Sequence, residues 1–314
     1  MTDVVLRFRT DLTALVGAPA GPIAVAVSGG PDSMALLALA HATGPTIAAT
    51  VDHRLRAESA AEARMVARWC ADRAIPHATL TPPPDWSPRS IQADARGLRY
   101  ALLTDWARAN AAHALLTAHH ADDQAETFLM RAGRASGVTG LGGIRARRML
   151  GDLPLARPLL TWRRAELRAV VAEQGLPFVD DPSNADPRFD RARLRAWLAD
   201  APIDAGAVAQ SAAACGEAAA ALDAVAALLF EDRRREGGWD VTDLPREIRR
   251  RLAVRAILAV RASTACEGRF DPATSVESLL DALTRGEKAT IAGVLATADR
   301  QIWRFCAAPP RRSY

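Results

Sequence analysis

Lysine is almost missing: the 314-residue chain holds one, Lys288, among 40 basic residues. The kinase-type phosphate loop ends in Gly-Lys-Ser/Thr, so that motif is excluded. No G-x-G-x-x-G opens a helix after the first strand-like run, which removes the dinucleotide fingerprint as well. The four cysteines, Cys70, Cys215, Cys266 and Cys306, lie far apart and form no C-x-x-C. They signal neither a zinc site nor a dithiol motif and read as buried small hydrophobes. No apolar stretch reads as long enough for a membrane span, and residues 1–7 lack a signal-peptide layout. The expectation is a soluble, cytoplasmic chain with no membrane partner.

What is present suffices for a substantial core. Hydrophobic residues make up 49% of the chain and the mean hydropathy is −0.03, which at this length points to two domains. The net charge is +4, but its distribution says more. Residues 1–130 carry 11 Arg against 13 Asp and Glu, a balance of −2, leaving 29 basic against 23 acidic residues, or +6, for residues 131–314. Within residues 131–168, Arg131, Arg134, Arg145, Arg147, Arg148, Arg157, Arg163, Arg164 and Arg168 face only Asp152 and Glu166. A polyanion partner fits that bias, and so does a solvated arginine-rich face.

The most informative segment is Ser28-Gly29-Gly30-Pro31-Asp32-Ser33, between the apolar run 23–27 and a helix-like stretch from residue 34. A strand that turns through two glycines into a helix aims unpaired N–H groups and the positive helix end at one spot, which suits a pyrophosphate. Ser28 and Ser33 add hydroxyl donors. Asp32 either binds Mg²⁺ carried by a nucleotide or caps the helix. The loop resembles the SGGxDS loop of N-type ATP pyrophosphatases, a family that cleaves ATP between its α and β phosphates. That resemblance shifts the expected chemistry from phosphoryl to adenylyl transfer.

Short apolar runs at residues 23–27, 46–52, 77–80 and 114–118 alternate with helical stretches starting near Asp32, Glu58 and Ile91. This is the pattern of an α/β fold with a doubly wound parallel sheet. In such sheets ligands sit beyond the carboxyl ends of the strands, so Ser28, Asp52, His53, His119 and His120 can share one crevice. Pro82-Pro83-Pro84 before Asp85-Trp86 make a stiff loop, and Trp86 is assigned no function. After Leu150 the pattern turns irregular, with a helix near 163–174 and a turn-rich segment at 180–184. A long Ala-rich helix is expected from about Asp204 to Arg235, with Arg233-Arg234-Arg235 at its end. Helices at 244–260 and 274–283 and strands at 289–295 and 301–305 follow. The expected division is a catalytic domain at 1–200, a helical linker at 201–238 and a smaller α+β domain at 239–314.

A second dense segment, Thr117-Ala118-His119-His120-Ala121-Asp122-Asp123-Gln124-Ala125-Glu126-Thr127, follows directly on an apolar run. If a helix begins near Ala121, Asp122 and Glu126 lie four apart and Asp123 and Glu126 three apart, so carboxylates share a face. Such a face can hold an ammonium group or magnesium. It is equally an acidic helix start favoured by the macrodipole.

Together SGGPDS, VDHRLR (51–56), ARGLRY (95–100) and TAHHADDQAET resemble the tRNA(Ile)-lysidine synthetase family. The similarity continues through Arg134-Ala135-Ser136-Gly137, Arg157-Pro158-Leu159, Asp181-Pro182-Ser183-Asn184 and Phe189-Asp190-Arg191, spanning residues 23 to about 197. The resemblance implies a PP-loop ligase that uses ATP and Mg²⁺. Such an enzyme adenylates the first anticodon cytidine of a CAU-anticodon isoleucine tRNA, and free L-lysine then displaces AMP to give lysidine. It implies pyrophosphate binding by Ser28, Gly29, Gly30, Pro31 and Ser33, with Mg²⁺ on Asp32 and ATP contacts from Asp52 and His53. Arg96 would offset charge during adenylation, Asp123 and Glu126 would receive lysine, and His119 or His120 would accept its proton. Arg131, Arg134, Arg191 and Arg195 would contact RNA. Arg96 and Arg99 equally fit a structural pairing with the carboxylates. A homodimer is compatible with the resemblance.

Three positions depart from the family pattern. Ala135 stands where glycine is common, so a glycine-dependent bend does not carry over. Ala192 replaces a common asparagine, and Arg54 a usual glycine. Other readings stay open: another PP-loop enzyme such as a tRNA thiolase or an ammonia-dependent synthetase, or a nucleotide- or RNA-binding module without catalysis. The C-terminal part, with Arg233–Arg235 and Arg249-Arg250-Arg251, is a candidate for reading the tRNA.

Overall fold

The structure is a computed structural model that describes residues 2–53, 59–83, 86, 91–180, 188, 190–264, 266, 270–271 and 274–309. Arg54, Arg56, Phe189 and the segment 181–184 fall outside the described residues. The chain divides into two units, Met1–Gly216 and Glu217–Tyr314.

The first unit begins with helix α1 (Thr2–Val16) and continues through β1 (Ile23–Ala26), α2 (Pro31–Thr43), β2 (Thr46–Val51) and α3 (Ser59–Ala71). Then come β3 (His77–Leu80), α4 (Ile91–Ala109), β4 (Ala114–Leu116), α5 (Ala121–Ala132) and the single turn α6 (Val138–Leu141). Strands β5 (Arg147–Leu150) and β6 (Leu153–Ala156) form a hairpin, followed by α7 (Arg164–Glu173), α8 (Asp190–Asp200) and the first part of α9 (Ala205–Asp232). The sheet order is β3-β2-β1-β4-β6-β5, and β5 alone runs antiparallel. The expected parallel sheet is therefore present.

The sheet is larger than the sequence pattern indicated: the stretch after Leu150 read as irregular, yet β6 pairs parallel with β4, Leu115 against Leu155. A four-residue strand containing Pro154 carries too short an alternation to register as a period. Ile23 pairs with both Thr46 and Ala114, so β1 is central and buried on both faces, which explains its unbroken apolar run. From β1 the chain moves outward through β2 and β3 and then crosses to β4 on the other side. The β1/β4 border is thus the switch point, where a crevice opens beyond the strand ends.

Helix α2 is buried from Met34 to Ala40, and for that reason it is apolar all round rather than on one stripe. Phe8 and Leu12 of α1 and Leu167, Val170 and Val171 of α7 belong to the same core. The opposite face of the sheet packs on Tyr100, Leu103 and Ala107 of α4. Burial here places the N-terminus of α2 rigidly at the switch point.

In the second unit, the remainder of α9 leads to β7 (Arg234–Arg235), β8 (Gly238–Asp240), α10 (Arg246–Ser263), α11 (Glu277–Thr284), β9 (Ala289–Ile291), β10 (Val294–Asp299) and β11 (Ile302–Ala307). The antiparallel order is β7-β8-β11-β10-β9, packed on Leu252, Ile257, Leu280 and Leu283. Four expectations are corrected. The single strand expected at 289–295 is a hairpin, because Ala292 and Gly293 take φ of 46° and 77° and turn the chain back. Helix α9 ends at Asp232, and Arg234 and Arg235 pair with Trp239 and Gly238 instead of continuing it. Helix α9 is also long and apolar enough, by length and composition, to cross a membrane. Thirteen of its 28 residues are alanine, which supplies helix propensity and hydropathy together. Lastly, of the cysteines only Cys70 is buried, Cys215 and Cys266 are intermediate and Cys306 is exposed.

Candidate active site

The segment after β1 is already shaped for an anion. Gly29 has φ of +84°, a conformation that favours glycine, and lets the chain reverse into α2. The Ser28 amide donates to Ser33 Oγ at 3.1 Å, the two seryl hydroxyls lie 3.2 Å apart, and Ser33 Oγ donates to the Gly30 carbonyl at 2.9 Å. From the other side the Val179 amide donates to the Gly29 carbonyl at 2.9 Å. Gly30 caps α2 with no side-chain hydrogen bond, and Pro31 has no N–H to offer, so the next free amides of the helix start remain available to a phosphate.

Asp32 projects from the first turn of α2. Its Oδ2 sits 3.5 Å from His120 Nε2, while its Oδ1 is buried without any hydrogen-bond partner. An ionised carboxylate oxygen without a partner in a buried place is costly unless a cation or donor arrives. No group of three or more His, Cys, Asp or Glu suited to a metal occurs among the described residues. The donor set fits magnesium in its usual nucleotide-borne form, held by one carboxylate plus phosphate oxygens and water.

At the end of β4 the chain is extended through His120, with φ −129° and ψ −179°, so successive side chains point opposite ways. His120, 1% exposed, faces the acidic side. Its Nδ1 accepts from the Asp123 amide at 3.4 Å, and its own amide donates to Asp123 Oδ2 at 3.1 Å, a capping box that starts α5. Burial would lower the His120 pKa, but the hydrogen bond to Asp32 and the charges of Asp123 and Asp32 raise it. His119 faces the basic side. Burial, then the guanidiniums of Arg157, Arg99, Arg96 and Arg191, push its pKa down to about 3.

That value has a consequence for stability. Between pH 6.5 and about 3 the unfolded chain binds a proton at His119 that the folded chain refuses, so stability falls as pH falls through this window and is unaffected above it. Lowering the pH from 7.5 to 5 should cost the wild type about 2 kcal/mol more than it costs His119→Gln, in urea unfolding at both pH values. Equal losses would contradict the placement of His119 among the arginines.

The carboxylates of α5 are already engaged. Asp122 accepts from the Arg164 amide at 2.7 Å and from Arg163 Nη2 at 3.2 Å; burial opposes ionisation, but these contacts lower its pKa. Glu126, 1% exposed, meets Arg195 Nε at 2.8 Å, Arg195 Nη2 at 3.2 Å, Arg164 at 3.4 Å and Arg191 at 3.4 Å. Both of its oxygens face guanidiniums from α7 and α8. Arg131 donates to the carbonyls of Gly140 (2.6 Å) and Gly143 (3.0 Å), bracing the loop around α6, whereas Arg134 is exposed and pairs with Asp190 at 3.1 Å. The bend at position 135 is made despite the alanine: Ala135 adopts φ of 52° and bears the modest strain that glycine would avoid. Ala192 is buried on α8.

The structure therefore brings Ser28, Gly29, Gly30, Pro31, Asp32, Ser33, His120 and Asp123 together at the switch point. Asp52 and His53 close the end of β2: Ser59 Oγ donates to Asp52 Oδ1 at 2.6 Å, and His53 stands with its Nδ1 buried and unpartnered, 6.3 Å from the Trp86 ring. Trp86, to which the sequence assigned nothing, thus lies beside His53. Arg96 is exposed on α4, its guanidinium 5.3 Å from the Tyr100 ring, and no carboxylate pairs with it among the described residues. The sequence motifs contained Tyr100 and Arg157 but gave neither a role; both are buried in the core of the basic side.

Residues 6–201 match the PP-loop domain family. Over 316 residues the chain is 40% identical to the tRNA(Ile)-lysidine synthase of Zymomonas mobilis subsp. mobilis, covering 97% of this chain and 94% of that protein. It is 44% identical over 319 residues to the tRNA(Ile)-lysidine synthase of Novosphingobium aromaticivorans, covering 98% and 94%. Among solved structures it is similar to the U34-tRNA thiolase NcsA from Methanococcus maripaludis, with a TM-score of 0.53, 14% identity, and coverage of 68% of this chain and 77% of that one. At that identity the likeness is one of fold.

Proposed function

The chain belongs to the tRNA(Ile)-lysidine synthase family, whose members are ATP-dependent enzymes forming a C–N bond, and from that premise we propose how its own residues divide the work. The substrates are ATP, free L-lysine and a CAU-anticodon isoleucine tRNA, in the cytoplasm. The cytosine 2-oxo oxygen attacks the α-phosphate of ATP, and pyrophosphate leaves into the loop of Ser28, Gly29, Gly30 and Ser33. The ε-amine of lysine then attacks that ring carbon, and AMP leaves with the oxygen. Lysine must lose a proton on the way, since its ammonium form has no lone pair.

Asp32 carries this reading: a carboxylate oxygen, buried and unpartnered beside an uncapped helix start, is what a nucleotide-borne Mg²⁺ needs. Magnesium, when bound, neutralises charge on the phosphate oxygens during adenylation. His120 orients Asp32 and caps α5; it is the better base of the two histidines, because His119 is held neutral with a pKa of about 3. Asp123 receives the ammonium directly, and Glu126 does so once a guanidinium of α8 gives way. Arg96 is free to meet negative charge on the α-phosphate, and Arg134 on the surface is free to trade Asp190 for RNA phosphate. Residues 1–200 act as the catalytic domain, 201–238 as linker and 239–314 in reading the tRNA. In the last of these, Arg249–Arg251 contribute little, since Arg249 and Arg250 bind Leu244 O and Glu277 and Arg251 is buried against Asp223 and Glu247. A homodimer is proposed on the resemblance alone.

The direct test incubates the protein with Mg²⁺, ATP and labelled lysine, and compares CAU-anticodon isoleucine tRNA with methionine tRNA. Label in the isoleucine tRNA alone is expected. Absence of label from both, with ATP binding intact, would overturn lysine as the nucleophile and bring ammonia or a sulfur donor forward.

A further inference from the structure

On the basic side of the crevice, four guanidiniums converge on one phenol. Arg148 lies 4.7 Å, Arg96 5.3 Å and Arg99 5.5 Å from the centre of the Tyr100 ring, and Arg157 comes close to its hydroxyl. None of these arginines pairs with a carboxylate among the described residues, in contrast to Arg163, Arg164, Arg191 and Arg195 nearby. Arg157 is 4% exposed; Nη1 donates to the Arg145 carbonyl at 2.6 Å, but Nε is buried without a partner. Tyr100 is 7% exposed and its hydroxyl completes no hydrogen bond of good geometry. Arg99 Nε is orphaned as well. Burial would raise the Tyr100 phenol pKa, and the charges of Arg99, Arg96 and Arg157 overcome it and lower it.

Repelling cations and unfilled donors gathered in one place are costly unless an anion completes them. The residues come from α4, β5 and the end of β6, on the His119 side of the strand end, whereas the pyrophosphate loop and Asp32 lie on the His120 side. The cluster also opens outward: Arg96 and Arg148 are exposed, and exposed Arg145 and Arg147 flank it just before and at the start of β5. A buried cradle with exposed arginines at its rim fits a chain of phosphates better than one nucleotide.

We propose that Tyr100, Arg99, Arg148 and Arg157 form a cradle for a backbone phosphodiester of the RNA, beside the nucleotide that enters the crevice. This rests on the reading of the substrate as tRNA. Tyr100 donates its hydroxyl to a phosphate oxygen and Arg157 its Nε, while Arg148 closes the rim. Each phosphate held this way releases counterions, so it appears in the salt dependence of binding.

The test measures binding of a CAU anticodon stem-loop RNA between 50 and 300 mM salt, alongside a non-hydrolysable ATP analogue, by wild type, Arg148→Gln and Tyr100→Phe. Arg148 is exposed, and phenylalanine keeps the ring, so both variants should fold. Arg148→Gln is expected to weaken RNA binding about fivefold and to reduce the salt slope by about 1. Tyr100→Phe should weaken it about threefold with the slope unchanged, since no charge is lost. Neither should alter affinity for the ATP analogue. Unchanged RNA affinity and slope would overturn the cradle, and lost ATP-analogue affinity with RNA binding intact would reassign it to a nucleotide phosphate. If wild type makes no lysidine but Arg148→Gln still shifts the salt slope, the cradle stands and the reading of the reaction falls.

Discussion

Asp32→Asn is expected to leave the fold intact and to lower the rate of tRNA-dependent pyrophosphate release about 10²- to 10³-fold, the usual effect of removing one preorganised charge partner from a reacting phosphate. The substitution is nearly isosteric. It removes a half-buried negative charge, one oxygen of which is buried and orphaned, that also faces Asp123 across His120. Stability should therefore hold or rise slightly, which separates a chemical role from a structural one. The loss should be accompanied by a higher Mg²⁺ requirement, measured by titrating the metal at saturating ATP. If Asp32→Asn kept the wild-type rate and metal dependence, Asp32 would be a helix-start residue and nothing more.

Glu126→Gln should have the largest effect on stability. One carboxylate, 1% exposed, faces guanidiniums on three arginines, and the variant leaves all three without their counter-charge. Breaking a fully buried pair costs about 3–5 kcal/mol. Here the arginine side chains are 28%, 47% and 30% exposed, and water offsets part of the cost, so about 2–4 kcal/mol is expected in urea unfolding. At a temperature where both proteins are folded, the KM for lysine should rise at least about tenfold, the scale of one charge-assisted contact. A destabilised enzyme with unchanged KM for lysine would make Glu126 an anchor for α8 alone. A change within about 0.5 kcal/mol would mean that the three guanidiniums are solvated independently of it.

The Glu126 clamp also shows where sequence reasoning stops. Spacing along α5 correctly placed Asp122, Asp123 and Glu126 near one another, because helical geometry is local. Their partners, Arg163, Arg164, Arg191 and Arg195, lie 38 to 69 residues further along the chain. No periodicity encodes a contact at that separation; the packing of α7 and α8 does. The same limit explains Arg249–Arg251, which read as a cationic run although Arg251 is buried against Asp223 and Glu247.

By itself the sequence determined the phosphate loop, because Gly29, Gly30 and the two serines act through backbone conformation and through neighbours at most five residues away. It determined four of the five parallel strands, β1 to β4, as short apolar runs, and missed β6. The tertiary structure alone decided which charges meet. The extended backbone through His119 and His120 sends two like side chains to opposite environments, one with a pKa pushed down to about 3 by burial and arginines and the other raised by carboxylates. Those environments are assembled from α2, α4, α5 and β6, elements distant in sequence. Electrostatic energy depends on distance and burial, and both are set by packing rather than by position along the chain.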